Sequence, residues 1–167
     1  MDQQVSNAAG ANPTNVERIS DREFAVTRLF DAPPRMVFTA WSDPSLFQRW
    51  WVPKSATGVS LVSCDMDVRT GGKYRLEFAA GDQTMAFFGK YLEVTPNSRL
   101  VWTNDEGEGG PAVTTLTFEE KGGKTLLVLH ERHPSKEATD EGIGFGEGLR
   151  EMFGQLDELL VTLPAAR

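Results

Sequence analysis

The 167-residue chain has one cysteine, few cations and no long apolar run. Each shortage excludes something. Cys64 has no second thiol to pair with, so no disulfide forms within the chain, and the count points to a reducing compartment, the cytoplasm. The 17 Lys and Arg are outnumbered by 24 Asp and Glu, which gives a net charge of −7 with no basic cluster. Nucleic acid is not expected as a partner, because phosphate binding needs a concentrated positive face. No stretch approaches the ~20 apolar residues of a membrane-spanning helix, so membrane insertion is not expected. The opening MDQQVSNAAGANPTNVERIS has neither a basic start nor an apolar centre, which reads as no secretory signal. No Lys-Ser or Lys-Thr follows the glycines at Gly142, Gly144, Gly146 and Gly148, so they do not form a phosphate loop. They read as a flexible lead into a final helix, small enough to pack closely on a sheet.

What is present fits one domain. Met1 to about Arg22 is rich in Asn, Gln, Ser, Ala and Gly and has little to bury. It reads as a disordered tail whose removal leaves the melting temperature within ~2 °C. Residues 23–163 form the folded unit, and 164–167 a second short tail. Glu23 to Phe30 predicts a first strand. Asp31-Ala32-Pro33-Pro34 predicts a cap and the start of a short helix carrying Val37, Phe38 and Trp41. Ser42-Asp43-Pro44 predicts a second, carrying Leu46, Phe47, Trp50 and Trp51 and ended by Pro53.

From Val59 to Glu131 the pattern is strand and turn. Strands are expected at Val59–Val68, Lys73–Phe78, Thr84–Val94, Arg99–Asn104, Val113–Glu119 and Thr125–Glu131. A two-residue turn at Gly81-Asp82 sets Phe78 opposite Met85, Leu76 opposite Phe87 and Tyr74 opposite Gly89. The turn at Gly122-Gly123 sets Phe118 opposite Leu127, Leu116 opposite Leu129 and Thr114 opposite Glu131. At Pro96-Asn97 the register stays open. Two loop residues bring Trp102 beside Tyr91, three bring Thr103, and the facing of Val101, Trp102 and Thr103 follows from that choice. Phe145, Leu149, Met152, Phe153, Leu156, Leu160 and Leu163 then follow a helical period on one face, ended by Pro164. Strands joined by hairpins give an antiparallel sheet, and the long helix is the only element large enough to cover it. The expected class is α+β: about seven strands, two short helices after the first, and a long C-terminal helix across the sheet.

Several runs together resemble a known family. They are Phe30-Asp31-Ala32-Pro33, Val37-Phe38, Ala40-Trp41 and Trp50-Trp51-Val52-Pro53, then Asp67-Val68-Arg69-Thr70-Gly71-Gly72-Lys73-Tyr74. Gly89-Lys90-Tyr91-Leu92-Glu93-Val94-Thr95-Pro96, Arg99-Leu100-Val101, Thr117-Phe118 and Leu156-Asp157-Glu158-Leu159-Leu160 follow. In this order they resemble the activator of heat-shock-protein-90 ATPase homologue family, within the START-like (SRPBCC) superfamily. The resemblance implies a helix-grip fold, a curved antiparallel sheet around the long helix with an apolar cavity between them. The superfamily includes lipid and hormone carriers, polyketide cyclases and aromatases. The co-chaperones that name the family carry a further N-terminal domain.

If the cavity exists, its wall is expected from Trp51, Tyr74, Leu76, Phe78, Met85, Phe87, Tyr91, Phe145, Leu149, Met152 and Phe153. Gly89 leaves a gap where a ligand or the helix can approach. In His130-Glu131-Arg132-His133 the two histidines are three apart on a strand and point to opposite faces, so no metal site is expected. Glu131 has inward parity and is the candidate polar anchor or general base. Cys64 has no visible base and reads as a strand residue. The reading is a module that binds an apolar small molecule or lipid, without a cofactor, as a monomer or homodimer. An enzyme of cyclase or hydrolase type and a co-chaperone are the alternatives.

Overall fold

The computed structural model describes residues 12–107 and 109–163. In chain order the elements are β1 (Thr14–Ser20), β2 (Glu23–Phe30), α1 (Pro34–Ser42), α2 (Pro44–Phe47), β3 (Val59–Met66), β4 (Lys73–Ala80), β5 (Gln83–Thr95), β6 (Arg99–Asn104), β7 (Ala112–Lys121), β8 (Lys124–Arg132) and α3 (Lys136–Thr162). All strand pairs are antiparallel, in the order β1-β2-β8-β7-β6-β5-β4-β3. The curved sheet and the long helix make the α+β class that the pattern predicts and the helix-grip arrangement that the resemblance implies.

The sheet has eight strands, not about seven. The extra one corrects the reading of Met1 to Arg22 as a tail, because Thr14–Ser20 pairs along β2. Backbone pairing needs little apolar area at a sheet edge. Here Val16 packs on the core, Arg18 ion-pairs with Asp140, and Arg150 donates to the Thr14 carbonyl. Residues 1–11 and 164–167 lie outside the described residues. Deleting residues 1–22 is expected to lower the melting temperature by roughly 5–10 °C, the equivalent of about 2–3 kcal/mol in a domain of this size. A thermal melt unchanged within ~2 °C would return β1 to the status of a tail.

Both glycine-turn registers are observed as read. Phe78 faces Met85 and Tyr74 faces Gly89; Leu116 faces Leu129 and Thr114 faces Glu131. The open turn resolves in an unexpected way. Thr95 faces Arg99, so the loop has three residues, with Asn97 at a positive φ of 67°. A bulge at Leu92 then absorbs one residue, and Tyr91 still meets Trp102. Leu100 and Trp102 therefore face the helix, while Val101 and Thr103 are buried on the other face.

The helices are corrected in three places. Asp31 does not cap α1, whose N-cap is Pro33; its carboxylate pairs with Lys124 instead. Asp43 does cap α2 through Ser45 N–H, but α2 stops at Phe47. Tight turns follow, in which Arg49 N bonds Leu46 O and Trp50 N bonds Phe47 O. The glycines before the last helix are inside it, since α3 is capped by Ser135 and runs from Lys136. A Cβ at Gly142 would lie 2.9 Å from the Phe24 ring and one at Gly146 3.2 Å from it, so small residues let the helix lie on β2. Two polar groups also lock it. Arg28, buried beneath α3 and 4.6 Å from the Phe30 ring centre, donates to both Asp157 oxygens at 2.8 and 2.5 Å. Gln155, also buried, bonds Lys54 N, Trp50 O and Val52 O and fastens the segment after α2 to the helix.

Candidate functional site

Between β4–β8, the α1–α2 segment and the first turns of α3 lies a cavity of about 320 Å³. Alternation along the strands supplies its apolar floor. Leu76 and Phe78 come from β4, Leu100 from β6 and Leu129 from β8. Aromatic rings form one side: Trp51 stacks on Phe47 at 4.6 Å between centres and leans on Trp41 and Phe145. Trp102 stands 6.0 Å from Trp41. Trp50 is not part of this wall, since it is fully buried with its indole N–H on the Ala40 carbonyl.

Of the expected wall, Trp51, Tyr74, Leu76, Phe78, Phe87, Tyr91 and Phe145 border the cavity. Four residues do not. Met85 sits beyond it near the β4–β5 turn and is 45% exposed. Leu149, Met152 and Phe153 are sealed, because α3 leaves the cavity after its first turns and settles on β2 and α1. Phe153 there meets Phe30 edge-on at 5.2 Å. Gly89 does leave a gap, but the backbone of Thr103 fills it: a Cβ there would lie 1.9 Å from the Thr103 carbonyl oxygen.

The polar strip of the wall was only partly legible. Glu131 points inward, as its parity requires, with 13% of its side chain exposed. Its Oε1 lies 2.9 Å from His133 Nε2, and its Oε2 accepts from Thr114 Oγ1 at 2.9 Å. Asn104 Nδ2 donates to Thr114 Oγ1, and Tyr74 Oη reaches Asn104 Oδ1 and the Thr103 carbonyl. His133 escaped the sequence reading because the two histidines were weighed against each other. The informative spacing was Glu131 to His133, two apart and so on the same face. His130 faces outward and pairs with Glu23, whose carboxyl it holds below the usual range, chiefly by that hydrogen bond.

Burial raises the Tyr74 phenol well above its ordinary range, with the charges of Glu106, Asp105 and Glu131 adding to it. Burial does the same to Tyr91. Both hydroxyls therefore stay protonated and can donate. Burial also raises the Cys64 thiol, whose sulfur contacts Met66 Sδ at 3.5 Å. Among the described residues no group of three or more His, Cys, Asp or Glu side chains could hold a metal ion. No helix among them is long and apolar enough to cross a membrane.

Residues 31–161 match the family model described as activator of Hsp90 ATPase homolog 1-like protein. No curated protein matches the chain. Solved structures share the fold. A crystal structure from Rhodobacter sphaeroides is 21% identical, with 91% of this chain and 100% of that chain covered and a TM-score of 0.81. One from Chromobacterium violaceum is 27% identical, covering 84% and 98%, with a TM-score of 0.71. The crystal structure of CalU16 from Micromonospora echinospora is 23% identical, covering 91% and 87%, with a TM-score of 0.63.

Proposed function

The chain belongs to the activator of Hsp90 ATPase homolog 1-like family, and from that premise we propose that it binds an apolar small molecule or lipid in the cavity beneath α3. The observation that carries the reading is the cavity itself. About 320 Å³ lies at the lower end of the range of small-molecule sites, and a few polar groups converge on a mainly apolar wall. The aromatic side supplies shape selectivity, and the strip from Tyr74 to His133 supplies orientation. The protein works without a cofactor, in a reducing compartment such as the cytoplasm.

The neutral fluorescent probe N-phenyl-1-naphthylamine tests this. The wild type is expected to bind it saturably. Ala138→Trp, which places an indole at the cavity mouth, is expected to weaken binding by more than about tenfold, or 1.4 kcal/mol, with an unchanged thermal melt. Probe binding that is absent, or indifferent to Ala138→Trp, would remove the reading and leave a protein-docking role for the fold.

One observation favours a second reading, an enzyme of hydrolase or cyclase type. The Glu131–His133 pair is a carboxylate-held imidazole in a mainly apolar cavity, which is how a general base is positioned. Turnover of an ester or polyketone that vanishes in Glu131→Gln, with probe affinity kept, would establish it.

A further inference from the structure

The polar strip has a direction. Tyr74 Oη faces only acceptors, the Thr103 carbonyl at 2.7 Å and Asn104 Oδ1 at 2.9 Å, so it donates. Asn104 Nδ2 donates to Thr114 Oγ1 at 2.9 Å. Thr114 is fully buried, and with that lone pair filled its single proton goes to Glu131 Oε2. Glu131 is thus the acceptor at which the chain ends. Its other oxygen meets His133 Nε2, and against an ionised carboxylate the proton of that bond belongs on Nε2. A neutral imidazole protonated at Nε2 carries a bare lone pair at Nδ1. Among the described residues nothing hydrogen-bonds Nδ1, and Trp41 Nε1 is the only sealed side-chain polar atom there without a partner. Nδ1 is therefore open. Phe24 stacks on the ring at 5.8 Å and 15°, which fixes its plane.

On the ligand-binding reading above, we propose that His133 Nδ1 is the hydrogen-bond acceptor of the cavity and selects apolar aromatic ligands that carry an acidic hydroxyl, a phenol or an enol. The rest of the wall argues against an anion. Among the described residues no Lys or Arg borders the cavity, and its other charged side chains there are the carboxylates of Glu106 and Glu141. A ligand carboxylate would face three acids without a cation, whereas a neutral O–H donor meets a lone pair held in place by Glu131. The rings of Trp51, Phe47 and Trp102 suit the aromatic body of such a ligand.

Two probes with the same rings separate the hydroxyl from the apolar contribution: 2-naphthol and 2-methoxynaphthalene, titrated calorimetrically into the full chain. The wild type is expected to prefer 2-naphthol by roughly 3–10-fold, the value of one hydrogen bond. In His133→Phe, which keeps a ring against Phe24, the ratio is expected to fall to about one. Nitrogen-15 spectra of the labelled wild type need no variant. They are expected to show His133 protonated at Nε2, with an Nδ1 resonance that moves on adding 2-naphthol and not on adding 2-methoxynaphthalene. Equal wild-type affinities, a preference that survives in His133→Phe, or His133 protonated at Nδ1 instead would each overturn the assignment while apolar binding stands. If neither probe binds, the ligand-binding reading falls and the assignment with it.

Discussion

Phe153→Ala is expected to lower the free energy of unfolding by about 3–5 kcal/mol. The ring is fully buried in α3, edge-on to Phe30 at 5.2 Å and within 6.5 Å of both the Trp41 and Trp50 ring centres. β2, α1 and the segment after α2 surround it, so no single neighbour can close the void without moving its own support. Urea titration is the measurement, and the midpoint should fall at constant slope. A loss below about 1.5 kcal/mol would mean that α3 rests loosely on the sheet, against its position in the structure.

Gly89→Ala is expected to cost about 4 kcal/mol or to prevent folding. The added methyl would lie 1.9 Å from the Thr103 carbonyl oxygen and 2.7 Å from its carbon. These are backbone atoms, so no rotamer change relieves the clash. The site also adjoins a hydrogen bond of the polar strip, Tyr74 to Thr103. Gly154→Ala is the control. It lies inside α3 with nothing within 4 Å of the new methyl, and it should stabilise by about 0.5–1 kcal/mol. The same substitution at two glycines thus has opposite expected signs. Equal effects would show that the close approach at Thr103 is not tight.

Most of the sheet could be read before its structure was known, because glycine turns and alternation constrain each other. Gly81-Asp82 and Gly122-Gly123 allow one register each that keeps Tyr74, Leu76, Leu116 and Phe118 on a common face. β1 was hidden because its contribution is made by backbone pairing, which composition does not register. Gln155 was hidden because a glutamine on the flank of an amphipathic helix looks solvated until the chain after α2 brings it three backbone partners. The cavity's polar strip falls between these cases. Glu131 and its partner Thr114 followed from the β7–β8 turn, whereas His133 was missed although it lies two residues from Glu131 and so on the same face. Asn104 did not follow, because the facing of β6 depends on the Pro96-Asn97 turn, whose register the sequence leaves open. Nor did Met85, Leu149, Met152 and Phe153 separate from the cavity wall, since strand alternation and helix periodicity give a face but not the point where that face leaves the cavity.

The strand order has a consequence for synthesis. β2 pairs with β8, and Glu23 meets Arg132 across more than a hundred residues of intervening chain. The strands from β3 to β8 are joined to their sequence neighbours and can pair as they leave the ribosome. β1 and β2 can pair with each other but have no place in the rest of the sheet until β8 has emerged. Their apolar side chains, Phe24, Val26 and Phe30 among them, stay uncovered through that interval. Folding on this topology is paced by a late, long-range closure, and the nascent chain is most exposed to aggregation through its earliest strands.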